Sequence, residues 1–478
     1  MKKIISVLII GLLSLSIADT NILSIGDYVE GVMNNDVEYQ NLFADSKSKK
    51  GQVQSAKSMF DWRLGGQVSK SFFKTMASGS AYMNDMNSYS ADLHVSKVFR
   101  GPSTAFSAGY AYEQSDMTIL GVGASKSYKP YMYVSASQPL IHFFMDYPVA
   151  MAQFGEGLSR LQDEVKTEKY FEEQLTLYYD WVLLYLSLET TYEHYRNLLT
   201  LHQQVENQYK NDFISITDLL RSKEGVRKTE DVLATQINQL NSLVEMISRK
   251  TGLNYQKITS WDENILKPDN YVLNQIFEDR QRNRTEESYS LREQLLALEM
   301  VSILETNKTN LLAFADLKQY DLSSAPTGVF GDFGKTDYTI GLKVDMSLEN
   351  NNRKGQELEI EEKGLQLLKE KEQVFRDLTL LGQNLDDSIL ENKKSLDRCQ
   401  EIVDWNKQRL VQEQKRYNSG KVFLKTVVDT QNELLTNRNI LLQKKVDGYK
   451  LIVQKLAFED RLLEYIESFL IESNNQEE

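Results

Sequence analysis

The chain of 478 residues carries a formal net charge of −13; 26% of its residues are charged and 41% are hydrophobic. No dense basic patch interrupts this acidic balance, which argues against nucleic acid as a partner, because phosphate binding needs a concentrated cationic surface. With only 6 prolines, the composition favours long amphipathic helices over a compact α/β enzyme. The single cysteine, Cys399, excludes an intrachain disulfide.

Residues 1–18 have the pattern of a secretory signal peptide. Two lysines precede an apolar run over 4–15, and Ser16 and Ala18 form a small-residue cleavage pattern. The run is shorter than the about 20 residues that a helix needs to span a bilayer, so a membrane anchor is the weaker interpretation. We expect cleavage after Ala18 and export of the mature chain.

Residues 19–250 form the first of two predicted repeats. A helical segment over 24–60 begins with a capping pattern at Ser24 and breaks near Asn34 and Asn35. Over 61–140, alternation of polar and apolar residues with Gly, Ser and aromatics predicts about four strands. A helical hairpin over 148–250 completes the repeat, with its two helices at 148–211 and 214–250.

Residues 271–478 form the second predicted repeat, after an irregular connector at 251–270. The repeat comprises a helix over 271–311, about two strands within 312–348 and a helical hairpin over 355–471. The helices of this hairpin are predicted at 355–417 and 422–471. In the strand at 338–348, the residues from Tyr338 to Leu348 alternate cleanly between an apolar and a polar face.

Both hairpins carry a seven-residue apolar repeat. One series runs from Leu219 to Ile247 and another from Val428 to Leu470. Such a repeat keeps one seam facing a neighbouring helix and indicates left-handed supercoiling. Because positions between the repeats, such as Gln431, are often polar, a wall of helices that each touch two neighbours fits better than a two-stranded coiled coil.

Two short breaks interrupt these helices at equivalent places. The stretches at 209–221 and 417–429 align with an offset of 208 (417 − 209) and predict the turns of the two hairpins. Gly420 can adopt the left-handed conformation that ends a helix. Asp212 takes the equivalent position in the first turn, and aspartate adopts positive φ more readily than most residues.

The strands bear on how an exported chain of this kind would enter a membrane. The mature sequence holds no convincing apolar helix of spanning length, and closed barrels are the strand structures that satisfy their hydrogen bonds in lipid. The roughly six predicted strands fall short of the about eight of the smallest bacterial barrels, so several copies would have to close one together. A small soluble β-domain is the alternative.

The order of these parts resembles that of the TolC-like outer-membrane efflux proteins, the outer membrane factors, over about residues 22–470. The resemblance rests on the helix break in "NNDVEY" (34–39), on strand-to-helix transitions at 131–140 and 338–359, and on the paired turns. It implies a mainly α fold with an internal duplication and a β-barrel portion. Long antiparallel hairpins would form a periplasmic tunnel, and strands would contribute to a trimeric barrel in the outer membrane of a Gram-negative bacterium.

The resemblance also implies a function. The chain would be an exit duct of a tripartite efflux or type I secretion system: a homotrimer in contact with outer-membrane lipid, a periplasmic adaptor protein and an inner-membrane transporter. A non-conducting, periplasm-spanning coiled-coil tether with a small β-domain is the alternative. The first strand region is longer than the two strands per repeat that the family needs, so either the barrel is larger or two strands, at 93–112, lie outside it.

No motif indicates an enzyme or a cofactor. The sequence contains no nucleophile–base pair, glycine-rich phosphate loop or paired-carboxylate pattern above background. A metal site is not expected either, because the histidines lack metal-ligand spacing; they are His94, His142, His194 and His202.

By the same resemblance, adaptor contact and gating would fall on the hairpin tips. The predicted tip residues are Tyr209, Asp212, Ile216, Asp218, Leu219, Leu220, Arg221, Tyr417, Gly420, Leu424, Val427, Val428 and Asp429. The family closes its tips with Tyr, Asp and Arg, and Tyr417, Asp218 and Asp429 match such positions. Val422 and Thr426 occupy the positions of the family's Arg and of its upper acidic residue, so the contacts that close the tips would differ from those of the family. A ring of Asp429 carboxylates would favour cations, unless Asp429 is an ordinary solvated residue.

Overall fold

The computed structural model describes residues 22–74, 83–101, 103–119, 123–141, 146–254, 266–268, 284–306, 310–321, 334–345 and 349–468. The predicted signal peptide, most of the predicted connector, and residues 271–283 and 307–309 of the helix predicted over 271–311 lie outside these residues. In the part of the chain that is described, no helix combines the length and the apolar character needed to cross a bilayer.

The described residues form helices and strands that we number in chain order. The elements are β1 (Ile22–Leu23), α1 (Ile25–Asn35), α2 (Val37–Asn41), α3 (Ala44–Lys57), β2 (Arg63–Lys74), β3 (Met83–Val98), β4 (Ala105–Ile119), β5 (Gly123–Pro139), α4 (Tyr147–Lys210), α5 (Ile216–Thr251), β6 (Lys267–Pro268), α6 (Arg284–Thr306), β7 (Asn310–Tyr320), β8 (Lys335–Asp345), α7 (Asn351–Asn418) and α8 (Leu424–Phe458).

The structure corrects several predicted bounds. The segment predicted as helix over 24–60 consists of three helices, and Asp36 separates the first two by accepting a hydrogen bond from the Glu38 amide. Asn310 and Leu311 belong to strand β7 rather than to the preceding helix. The helix predicted over 422–471 ends at Phe458, because the chain turns at Asp460, whose φ is 56°. A further short helix covers 462–468.

The chain divides into two units, each built from separate segments. The helical unit comprises Met1–Phe43, Gln162–Thr285 and Glu372–Glu478, and the sheet unit comprises Ala44–Leu161 and Glu286–Lys371. Each predicted sequence repeat contributes to both units. The predicted hairpin turns belong to the helical unit.

The sheet unit contains a six-stranded antiparallel sheet with the order β2-β3-β4-β5-β7-β8. Pairing is continuous through its middle: after a register shift between Met83 and Asp85, β3 pairs with β4 from Asp85↔Thr118 to Val98↔Ala105, and β4 pairs with β5 from Ala105↔Ser137 onwards. The strands at 93–112, predicted either to widen the barrel or to lie outside it, are therefore inner strands of this sheet.

The register of the sheet gathers apolar side chains on one face and polar side chains on the other. Because side chains alternate along a strand, paired residues share a face. The apolar face carries Leu64, Val68, Leu93, Val95, Met132, Val134, Leu317, Tyr338, Ile340, Leu342 and Val344. The described part of the alternation predicted for 338–348 is thereby confirmed.

Cross-strand hydrogen bonds are found on the polar face. Ser69 and Ser90 join their hydroxyls at 2.7 Å, as do Ser107 and Ser135. The Tyr133 hydroxyl donates to Asp92 Oδ1 at 3.0 Å. These bonds tie neighbouring strands together through side chains as well as through the backbone ladder.

The core of the helical unit lies where α1, α4, α5 and α8 meet. Trp181 and Tyr178 of α4 are fully buried there, together with Tyr28 of α1 and Leu240 of α5. A Cβ on Gly31 would lie 2.9 Å from the Thr251 Cβ, so glycine allows α1 to approach the end of α5 closely. Large apolar side chains at helical spacing thus hold the helices together.

Candidate functional site

The first hairpin turn, residues 211–215, begins with a defined helix-ending motif. The Phe213 amide donates to the Gln208 carbonyl at 2.9 Å, and the Asp212 amide donates to the Tyr209 carbonyl at 3.0 Å. Asp212 has a φ of 57°, in the left-handed region. This pair of bonds is the Schellman arrangement, which satisfies carbonyls that the end of α4 would otherwise leave open.

The second hairpin turn, residues 419–423, repeats that motif 208 positions later. The Lys421 amide donates to the Arg416 carbonyl at 2.9 Å, and the Gly420 amide donates to the Tyr417 carbonyl at 2.9 Å. Gly420 has a φ of 69°. The backbone of the two turns is therefore equivalent, with an aspartate and a glycine at the left-handed position.

The helices after the two turns begin with the same backbone but different side chains. Ser215 has φ −81° and ψ 156°, and its hydroxyl accepts a hydrogen bond from the Asp218 amide at 3.3 Å. The same hydroxyl donates to the Asp218 carboxylate at 2.9 Å. Phe423, with φ −81° and ψ 153°, holds the equivalent place without a side-chain cap. Only the first restart has a hydroxyl cap of this kind.

An apolar cluster, here called the tip cluster, joins the two hairpins beside their turns. Its buried members come from both hairpins, and Ile214, Leu219, Leu410 and Tyr417 pack against them. The buried members are Leu201, Val205, Leu424, Val427 and Val428. Since the helical unit contains all of these residues, the cluster is a contact between hairpins within one unit.

Tyr417 adds a polar link between the hairpins. Its hydroxyl donates to Gln208 Oε1 at 3.0 Å. Burial raises the pKa of Tyr417 above its ordinary value, and the Asp218 carboxylate raises it further. The phenol therefore stays protonated and keeps its hydrogen-bond donor at any physiological pH.

The structure brings some of the predicted tip residues together and leaves others at the surface. Tyr417, Leu219, Leu424, Val427 and Val428 meet in the tip cluster. Asp212, Gly420 and Asp218 shape the turns and the helix start that follows. Arg221 is half-buried, and the exposed residues are Tyr209, Ile216, Leu220 and Asp429.

Two aromatic residues of the turns were not predicted as tip residues. Phe213 is 79% exposed and Phe423 is 81% exposed. A phenylalanine inside a short helix-to-helix turn is the signal that could have identified them. With Ile216 and Leu220 they give the turns an apolar surface.

A cavity of about 430 Å³ lies next to the tip cluster, among α4, α7 and α8. Leu201 and Val427 line it and also belong to the tip cluster. Most of its other lining residues are amides and hydroxyls, and its charged lining residues are Lys407 and Arg438. No local sequence pattern indicates this cavity, because its walls come from helices far apart in the chain.

Comparison with known proteins adds information at the level of the fold. No sequence-family model matches the chain, and no curated protein sequence does. Solved structures match along nearly the whole length. CusC, studied for transmembrane channel formation, has a TM-score of 0.66 at 11% identity, covering 93% of this chain and 95% of CusC. This chain therefore shares the fold of CusC.

Two further structures have this channel fold. The outer-membrane channel OprN matches with a TM-score of 0.66 at 11% identity, covering 91% of this chain and 89% of its own. The Campylobacter jejuni CmeC outer membrane channel matches with a TM-score of 0.63 at 10% identity, covering 96% of this chain and 94% of its own. The predicted resemblance to outer membrane factors is thus confirmed for the fold. At these identities, the roles of tip residues rest on the geometry of this chain.

Proposed function

We propose that this chain is the exit duct of a tripartite efflux or type I secretion system. It would act as a homotrimer in the outer membrane of a Gram-negative bacterium and receive substrate from an inner-membrane transporter through a periplasmic adaptor. The observation that carries the proposal is the sheet, with one apolar and one polar face, in a chain that has the channel fold. No enzymatic activity is part of it.

The exposed apolar face of the sheet fits a lipid-facing wall. Val68 is 85% exposed and Ile340 is 79% exposed. A soluble sheet would cover such a face with helices or a second sheet, whereas a barrel wall presents it to lipid and turns its polar face inward. The polar face of β8 carries Lys343 and Asp345, which suit a water-filled lumen.

The two outer strands of the sheet fit a ring of copies. β2 has 12 residues and β8 has 11, and neither has a second strand partner among the described residues. Neighbouring strands are antiparallel throughout and six is an even number, so β8 of one copy can pair antiparallel with β2 of the next. Three copies would supply about eighteen strands, a size at which barrels enclose an aqueous channel.

Adaptor contact is proposed for the two hairpin turns. Their exposed apolar residues, Phe213 and Phe423 in the turns and Ile216 and Leu220 just beyond the first, form a surface of the type that protein partners cover. A gate role is proposed for Asp429, whose exposed carboxylate would be repeated in each copy. An Asp429→Ala trimer should then lose part of its block by multivalent cations, and unchanged block would reject the gate role.

Two measurements test the proposal that the chain forms a duct. One is the conductance of the purified protein in planar bilayers, and the other is the mass of the protein in detergent. We expect discrete conductance steps from a species of three chains. Lys343→Glu on the polar face should shift permeability towards cations without preventing insertion. Leu342→Glu on the apolar face serves as the matched control, and it should hinder insertion, because a charge facing lipid is costly. A trimer without conductance, in native and turn-altered forms alike, would favour the non-conducting tether.

A further inference from the structure

His194 of α4 is a buried histidine at a contact between the two hairpins. It is 7% exposed and lines the cavity beside the tip cluster. Its side chain forms a hydrogen bond with Asn432 of α8, while its Nε2 atom has no hydrogen-bond partner. Gln431, also on α8 and 5% exposed, lines the same cavity with Oε1 unpartnered. Two buried residues with unpartnered polar atoms thus line one polar cavity, and water fills such cavities in proteins.

The charged groups around this cavity disfavour a second positive charge. Arg438 of α8 lines the cavity and donates to Glu193 Oε2 of α4 at 2.8 Å. Lys407 of α7 lines it as well and is paired with Asp404 at 3.4 Å. No carboxylate is among the lining residues. A proton on His194 would therefore lie near Arg438, while the Glu193 carboxylate is already bound to Arg438.

These surroundings set the protonation of His194 in the packed state. Burial lowers its pKa below the ordinary value, and the Arg438 charge lowers it further. The hydrogen bond with Asn432 and the Glu193 charge act in the opposite direction without reversing the shift. Neutral His194 is thus the form that fits the packed hairpins.

We propose that His194 is a proton-sensitive latch that holds the first hairpin against the second, on the side of the tip cluster away from the turns. When neutral, it allows α4 to pack on α8. When protonated, it places an uncompensated charge in the contact and loosens it. The inference goes beyond the proposed function, because it concerns packing within one chain and does not depend on conductance.

The direction of the pH effect follows from linkage. With the hairpins apart, His194 is solvated and titrates near its ordinary value of about 6.5. Because its pKa is lower in the packed state, the separated state binds the proton more readily. Packing is therefore fully favourable above about pH 6.5 and weakens as the pH falls through that value towards the lower, packed-state pKa. Asn418 and Lys407 line the cavity and are exposed, so water can deliver the proton.

The distance between the two turns reports on the latch. Spin labels on cysteines at Asn211 and Ser419, in a Cys399→Ser background, can be measured by double electron–electron resonance in labelled chains diluted with unlabelled ones. We expect one narrow distance at about pH 7.5 and a longer, broader distribution at about pH 5, on either side of the ordinary histidine pKa. His194→Gln, which keeps a hydrogen-bonding amide but cannot become charged, should give the narrow distance at both values.

His202→Gln is the matched control. His202 also lies on α4, but its Nδ1 atom is 2.8 Å from the Ser222 hydroxyl of α5, within the first hairpin rather than between hairpins. This variant should respond to pH as the parent does. A parent protein whose distance is the same at both pH values, or a His194→Gln variant that still responds, would overturn the latch.

Two further measurements keep the inference testable if His194→Gln does not fold. Arg438→Gln removes a cation and frees Glu193, which raises the pKa of His194 in the packed state towards its solvated value, so the opening transition should move to lower pH; an unmoved or raised transition contradicts the latch. The sequence has 4 histidines, which allows each to be followed by NMR after isotope labelling of histidine. A His194 titration midpoint at or above about 6.5 in the parent at the packed distance would also overturn it.

Discussion

The two hairpin turns have the same backbone and opposite surroundings. Leu424 of the second turn is 1% exposed, whereas its equivalent in the first, Ile216, is 50% exposed. Val428 is 7% exposed, whereas its equivalent Leu220 is 58% exposed. The second turn is therefore anchored in the tip cluster and the first presents its apolar residues to solvent. Local hydrogen bonds fix the turn geometry in both, which leaves the side chains free to differ.

Truncation of the equivalent apolar residues should give the largest difference between the two turns in the free energy of unfolding. Leu424→Ala removes a buried side chain from the tip cluster and should lower the free energy of unfolding of the helical unit by about 2–5 kcal/mol. Ile216→Ala, at the equivalent but half-exposed place, should cost about 1 kcal/mol or less. Thermal unfolding followed by circular dichroism compares the two. Equal losses would mean that the first turn is covered in solution, for instance by a second copy.

Substitution of the two residues with positive φ, Gly420 and Asp212, should give a smaller difference in the free energy of unfolding. Gly420→Ala forces a Cβ into a backbone with φ 69° and should cost about 1–2 kcal/mol. Asp212→Gly relieves the equivalent strain at φ 57° and should be neutral or slightly stabilising. The same unfolding measurement applies. A loss in Asp212→Gly comparable to that in Gly420→Ala would show that the Asp212 side chain makes a stabilising contact.

Substitution of the residues that precede α5 and α8, Ser215 and Phe423, should give the smallest difference in the free energy of unfolding. Ser215→Ala removes the hydroxyl that accepts from the Asp218 amide and should cost about 1 kcal/mol. Phe423→Ser supplies such a hydroxyl where the second turn lacks one and should gain about 0.5 kcal/mol or more. A loss in Phe423→Ser would indicate that the exposed ring is already buried in the assembly. Measuring the affinity of Phe423→Ser for the adaptor then distinguishes an effect on stability from the loss of the proposed adaptor contact.

The sequence predicted those parts of the fold that follow from periodicity and from local backbone preferences. Alternation at 338–345 gave the face of β8, and the break after Asn35 follows from the capping residue Asp36. The offset of the turns was visible because both stretches keep residue types that end a helix and start the next. These signals all lie within a few residues of the feature that they predict.

Features that depend on distant segments were not predictable in this way. Ile216 and Leu424 are equivalent apolar residues at the starts of their helices, so which of them is buried depends on which hairpin face meets the other. His194 showed no motif, and its surroundings come from Gln431 and Arg438, more than 200 positions away. The end of α8 at Phe458 was missed because Asp460 rather than a glycine takes the positive φ.

The even number of strands in the sheet has a consequence for how such a wall can change width. Inserting or deleting a whole hairpin, such as β3 with β4, leaves the first and last strands antiparallel, so the seam between copies is preserved. A single added strand would reverse one border and place parallel strands at every seam. In the proposed duct, the bore diameter would therefore change only in hairpin-sized steps, multiplied by the number of copies. A two-stranded hairpin is then the unit by which one protein lineage could pass to larger cargo without redesigning its proposed assembly.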